Sequence, residues 1–188
     1  MVKRVNIMVG RFQPFTNGHM KCVEYAYNQT GLPTVLAMIY TASEKVDERH
    51  PFNSDLMLPI YHKMFDNNPM IADIITVRNA NIVSIGRELY KHGYEIASWT
   101  CGTDRLESYQ KMADNYKDKS HLTDDFQMLE VKRSDEDISA TKARQALLDN
   151  DEKTFKKLTP LLSLKTRLLL SNDLFTILRE EILKIHNK

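Results

Sequence analysis

The chain has 188 residues, room for one domain with a small appendage and for a real hydrophobic core. Hydrophobic residues make up 42% and charged residues 27%, a globular balance that excludes a disordered or fibrous chain. Lys and Arg total 26 against 25 Asp and Glu, a formal charge of +1, which argues against a nucleic-acid binder with its basic excess but leaves room for a local basic pocket. Two cysteines, Cys22 and Cys101, make no disulfide framework and lack metal-ligand spacing, so a reducing compartment is expected. Arg11 ends the first apolar run too soon for a signal peptide. The stretch LLSLKTRLLL is broken by Lys165 and Arg167 and is too short to span a bilayer. The expectation is a cytoplasmic protein with no membrane and no nucleic-acid partner.

Apolar periods alternate along the chain. RVNIMVG (4–10) reads as a buried strand, and 18–28 as a helix with Val23, Ala26 and Tyr27 inward. TVLAMIY (34–40) is a second strand, followed by a helix over about 53–65 with Leu56, Ile60 and Met64 at helical spacing. IADIITV (71–77) is a third strand and 82–91 a third helix. EIASWTCG (95–102) is a fourth strand, a helix starts near Arg105, and FQMLEV (126–131) is a fifth strand. From Ser139 the pattern is helical to the end, interrupted at Pro160, with Phe175, Leu178, Ile182 and Ile185 marking a last amphipathic helix. Alternating strands and helices predict an α/β fold: an open, doubly wound parallel sheet of about five strands, dinucleotide-binding-like, with a C-terminal helical extension. The predicted division is a domain over 1–160 and an extension over 161–188. The apolar stripe of that extension suits packing within the subunit or a homo-oligomer contact.

The turn GRFQPFTNGH (10–19) falls where such sheets bind ligands, at the carboxyl end of the first strand. Gly10 permits the bend, Pro14 stiffens the loop, and Gly18 lets a ligand approach the backbone. His19 then falls on the first helical turn, where exposed N–H groups and the helix dipole favour an anion. Taken alone, His19 also reads as a solvated helix-start histidine; the whole decapeptide favours a phosphate site. The turn is neither GxxxxGK[ST] nor GxGxxG. A second helix start, DISATKARQALLDND (137–151), offers a Ser or Thr cap, an Arg one turn in and Lys142 beside it. A capped helix with solvated Lys and Arg is the alternative there.

GRFQPFTNGH resembles the first signature of the nucleotidylyltransferase superfamily, H/T-x-G-H. The GR-F/M-QPF form is that of the NMN adenylyltransferases of archaeal and bifunctional bacterial types. Thr16 stands at the first histidine's place and His19 at the second. DISATKAR resembles the superfamily's ISxTxxR motif through Ser139, Thr141 and Arg144. ERHPFN (48–53) resembles an R-x-PFT stretch and puts Arg49 forward as a phosphate contact, with an exposed loop arginine as the alternative. CGTDR (101–105) resembles a glycine turn near the nucleotide. There Gly102 would permit close approach, and Asp104 would bind a ribose hydroxyl or cap the next helix. Two features depart from the pattern. SDLM replaces an acid–arginine pair, and NANIVSIG (79–86) has no aromatic where the archaeal-type enzymes stack on nicotinamide. Trp99, the single tryptophan, would face the pocket or fill the core.

The resemblance implies nucleotidyl transfer, with ATP or another nucleoside triphosphate and a small phosphate monoester as partners. His19 and Thr16 would meet the α- and β-phosphates. Ser139, Thr141 and Arg144 would hold the β- and γ-phosphates, and Arg49, Lys142 or Arg11 would draw the phosphates together. Gly10, Phe12 and Gly18 would line the same site. Mg²⁺ would be bound mainly through phosphate oxygens and water, with no metal-ligating side chains required. NMN is the first acceptor. The alternatives are a cytidylyltransferase acting on a sugar or alcohol phosphate, and a nucleotide-sensing module without turnover.

Overall fold

The computed structural model describes residues 2–132, 140–160 and 173–186. They fall into two units: Met1–Gly10, Lys21–Tyr40 and Asn68–Asp135 form one, and Arg11–Met20, Thr41–Asn67 and Glu136–Lys188 the other.

The first unit is built on a parallel sheet of five strands: β1 (Lys3–Gly10), β2 (Thr34–Ile39), β3 (Ile71–Val77), β4 (Tyr94–Gly102) and β5 (Leu122–Val131). Their order is β3-β2-β1-β4-β5. This is the open α/β sheet that the alternating periods predict. The inner strands are runs of apolar residues because both faces are covered; β2 is buried from Thr34 to Met38. On one face Val5, Ile7, Val35, Ala37, Ile75, Val77 and Trp99 form a core with Ile82, Ile85 and Leu89 of α3 (Ile82–Lys91). Asn81 starts that helix by accepting from the backbone N–H groups of Val83 and Ser84 at 3.0 and 3.1 Å. Gly86 lets α3 approach the segment before β5: a Cβ there would lie 2.0 Å from the carbonyl oxygen of Ser120.

α1 (Asn17–Thr30) buries Val23 and Ala26 as expected, while Tyr27 is half-buried. Asn6 is a fully buried polar residue in β1. Its side-chain oxygen accepts from Ser98 and Thr30 hydroxyls at 2.7 and 3.0 Å, and its amide donates to the Leu32 carbonyl at 2.6 Å. With its oxygen accepting twice and its amide donating, it costs the core little and ties β1 to β4 and to the end of α1.

Two boundaries differ from expectation. β5 begins at Leu122, four residues early, because Ile96 pairs with Leu122 and Ser98 with Gln127. The residues between bulge from the ladder and carry the exposed Asp124 and Asp125, which break the period that marks a strand. α4 (Thr103–Asn115) starts two residues before Arg105. Gly102 is its N-cap residue, without a side-chain cap, so Asp104 sits inside the first turn and not at the cap.

In the second unit, α2 (Ser54–Met64) is capped by Asn53, which accepts from the Leu56 N–H at 2.9 Å. Its buried face is Ser54, Met57, Ile60 and Tyr61, so the expected stripe through Leu56 and Met64 is rotated. The reason is aromatic: Tyr61 packs on Phe15 and Phe65, with ring centroids 6.2 and 6.4 Å apart, and that face turns inward. α5 (Ala140–Leu148), α6 (Glu152–Leu158) and α7 (Leu174–His186) follow. They bury Ala143, Ala146, Leu147, Phe155, Phe175, Leu178 and Ile182. The Phe155 and Phe175 rings meet edge to face at 5.6 Å. Among the described residues no helix is long and apolar enough to cross a membrane.

Candidate active site

β1 and β4 are neighbours at the point where strand order reverses, the usual place for a ligand in such a sheet. Met8 pairs with Thr100, and each strand ends two residues later on a glycine, Gly10 and Gly102. Trp99 and Asp104 belong to the same unit. Trp99 has no exposed surface and stacks on Tyr109 at 4.2 Å, so its ring fills the core and is closed to a ligand. Asp104 is exposed, with Arg105 Nε 3.5 Å away.

The second unit holds the opening turn, and the turn is built rigidly. Phe12 through Thr16 are buried. Phe12 has φ +48°, a left-handed conformation that is costly for a bulky residue. The Gln13–Pro14 peptide is cis. The Gln13 side chain clamps Phe52 at both ends: its amide donates to the Phe52 carbonyl at 2.6 Å, and its oxygen accepts from the Phe52 N–H at 2.9 Å. The Tyr61 hydroxyl donates to the Phe12 carbonyl and accepts from the Phe15 N–H, the latter at 2.9 Å. Burial pushes the Tyr61 phenol far above its ordinary range, so it stays a neutral donor and acceptor.

At the end of the turn the Thr16 N–H donates to Nδ1 of His19 at 3.0 Å, and Thr16 Oγ1 lies 3.1 Å from the same nitrogen. A nitrogen that accepts from an amide carries no proton of its own. The neutral ring therefore bears its proton on Nε2. Phe12 and Phe15 hold the imidazole between them, at 5.3 and 5.2 Å between centroids.

Arg144, on the first turns of α5, reaches this turn. One guanidinium nitrogen donates to the Gln13 carbonyl at 2.7 Å and another to Thr141 Oγ1 at 3.1 Å. These bonds use two of its five N–H donors. Burial lowers its pKa, and the negative charge of Asp47 opposes that shift. Asp47 closes a loop by accepting from the backbone N–H groups of His50 and Arg49 at 2.7 and 2.8 Å. The His50 N–H is the larger cause holding its carboxyl below the usual range. The structure thus joins His19 to Thr16 and Phe12 by direct contacts, and links Arg144 with Thr141 to the same turn through the Gln13 carbonyl. Arg11, Arg49, Thr141 and Lys142 are exposed in the same unit, and Gly18 is half-buried at the start of α1. Ser139 lies outside the described residues. The sequence reading missed Gln13, Tyr61 and Asp47. Gln13 stood inside the motif GRFQPFTNGH, and Tyr61 lay off the helical stripe read through Leu56, Ile60 and Met64.

The match to a protein-family model decides the affiliation: residues 7–146 fit the cytidylyltransferase-like family. The chain belongs to that family. It is a nucleotidylyltransferase-superfamily chain, as the two motifs suggested. No curated protein matches it by sequence. Among solved structures it is similar to a bifunctional NMN adenylyltransferase/ADP ribose pyrophosphatase from Francisella tularensis (TM-score 0.63, 14% identity). That alignment covers 100% of this chain and 55% of the other, so this cytidylyltransferase-like chain spans about half the length of the bifunctional protein. A structure of such a bifunctional enzyme from the same organism, complexed with AMP and a manganese ion, aligns with TM-score 0.56, 15% identity and coverage of 100% and 54%. A Plasmodium falciparum nicotinic acid mononucleotide adenylyltransferase complexed with APC aligns with TM-score 0.52 and 14% identity, over 93% of this chain and 98% of the other. At these identities the likeness is one of fold.

Proposed function

We propose that this nucleotidyltransferase moves AMP from ATP to a small phosphate monoester, NMN first, and releases pyrophosphate. The observation that carries the reading is the contact between the two helix openings: Arg144 of α5 bonds the turn whose last residue is His19. Two anion-suited groups from distant stretches of chain therefore serve one locality, as a triphosphate requires. The names of the similar structures, all adenylyltransferases of nicotinamide or nicotinic acid mononucleotide, support the acceptor.

In this reading an oxygen of the acceptor's phosphate attacks the α-phosphorus, the new P–O bond forms, and the bond to the β-phosphate bridging oxygen breaks. The acceptor is already ionised at neutral pH, so no general base is needed. Catalysis is alignment plus neutralisation of developing charge. His19 donates from Nε2 to an oxygen of the α-phosphate. Arg144 and Thr141 hold the β- and γ-phosphates, while Arg49, Lys142 and Arg11 supply outer positive charge. Among the described residues no three His, Cys, Asp or Glu side chains gather to cage a cation. Mg²⁺ fits as the counter-ion carried by the nucleotide, neutralising charge on the phosphates when bound.

A second reading, cytidylyl transfer to a sugar or alcohol phosphate, is favoured by one feature. The start of α3 (NANIVSIG) offers no aromatic to stack on a nicotinamide ring. A pyrophosphate-release screen over four nucleoside triphosphates and a panel of phosphate esters separates the two. ATP with NMN is expected to give the fastest release; CTP with an alcohol phosphate giving it would replace the first reading by the second.

A further inference from the structure

The opening turn lacks a direct bond between its own ends. The Phe12 carbonyl and the Phe15 N–H, three residues apart, are instead joined through one inserted atom, the Tyr61 hydroxyl oxygen, which donates to the first and accepts from the second. That atom arrives from α2, a different part of the chain. It sits fully buried: Tyr61 is 1% exposed and Phe15 0%. The next N–H along the chain after Phe15 is that of Thr16, the one that occupies Nδ1 of His19. The carbonyl after that of Phe12 is that of Gln13, the one that receives Arg144. A single hydroxyl therefore stands between the two bonds that orient the site's two cationic or donor groups. It also secures Phe12 in its left-handed conformation, which few bulky residues adopt without an external hold.

We propose that Tyr61 is a positioning residue: by bridging Phe12 and Phe15 its hydroxyl keeps His19 in the Nε2–H tautomer and Arg144 against Gln13. The proposal rests on the function given above only for its consequence in turnover. Removing the oxygen leaves the ring packed on Phe15 and Phe65 but unpairs both ends of the turn. The Thr16 N–H then loses its fixed aim, and the imidazole redistributes its proton between the two nitrogens.

The test is Tyr61→Phe, read by the imidazole ¹⁵N shifts of His19 and by steady-state kinetics with the best substrates of the screen. In the parent, Nδ1 is expected to show the shift of an unprotonated ring nitrogen and Nε2 that of a protonated one. In the variant the two shifts should move toward each other, and kcat should fall about 10–100-fold while KM for the nucleotide stays within roughly threefold. A variant that keeps both the parent's His19 shifts and its kcat, and loses only thermal stability, overturns the proposal. So does a parent protein whose Nδ1 is protonated, a measurement that needs no variant and holds even if Tyr61→Phe fails to fold. If the parent releases no pyrophosphate with any substrate pair, the proposed function falls, and the tautomer shifts still decide the role of Tyr61.

Discussion

His19 has Nδ1 held by the Thr16 N–H, which puts its proton on Nε2, and Arg144 gives two of its five N–H donors to Gln13 and Thr141. Those two facts carry the predictions at this scale. His19→Ala should lower kcat by roughly 10²–10³-fold with the fold intact, the scale for losing one placed electrostatic donor. Turnover within a few-fold of the parent would remove His19 from the chemistry. Arg144→Ala should weaken ATP binding about tenfold or more, as expected for a lost charged hydrogen bond. Calorimetry showing unchanged affinity would count against its phosphate role. His19 and Arg144 were legible in the sequence because each stands in a short motif whose spacing has a local physical meaning. Gln13 and Tyr61 were not. Their work is done by bonds to Phe52, Phe12 and Phe15 across the fold, and only the folded chain brings those partners together.

Among the elements, β1, β3, α3 and the last helix were readable, since each carries a strong apolar period or run. β5 was shortened by its bulge, whose acidic residues look like a loop. The α2 stripe was misplaced because the helical spacing through Leu56, Ile60 and Met64 left out Tyr61, whose ring packs inward on Phe15 and Phe65. Gly86 gave no sign in the sequence of its role. With a Cβ 2.0 Å from the Ser120 carbonyl, Gly86→Ala forces α3 and the chain before β5 apart. The expected cost is roughly 1–3 kcal/mol, and in a chain of this size each kcal/mol lowers Tm by about 2–4 °C. An unchanged melting temperature would mean that α3 does not pack there so closely.

The molecule as a whole should have a broad plateau of stability against pH, with two different edges. On the acid side, Asp47, Asp125 and Asp151 have pKa values held below 3.8 by backbone and side-chain hydrogen bonds and by Arg4. Their contribution is present above pH 3.8 and is lost as the pH falls through the lowered values. On the alkaline side, burial pushes the Cys101 thiol from 9.0 up to about 11, with Asp104 and Glu130 adding to the shift. Burial also raises Tyr94 and Tyr109. The stability that Cys101 contributes is intact below pH 9 and is lost as the pH rises through about 11, and the two tyrosines act in the same direction. Chemical denaturation at pH 7, 9 and 11 should show little change over the first interval and a fall over the second; a rise toward pH 11 would contradict the burial of these groups. The fold itself was legible because strand and helix alternate, but a fold hosts many reactions, and the acceptor is written in side chains that few local rules reach. The most direct measurement is therefore the fate of label from ATP in the presence of NMN and Mg²⁺. The account expects label at the α-phosphate to appear in the joined product and label at the γ-phosphate to leave as pyrophosphate. Transfer of the γ-label to the acceptor, or no transfer of either, would contradict it.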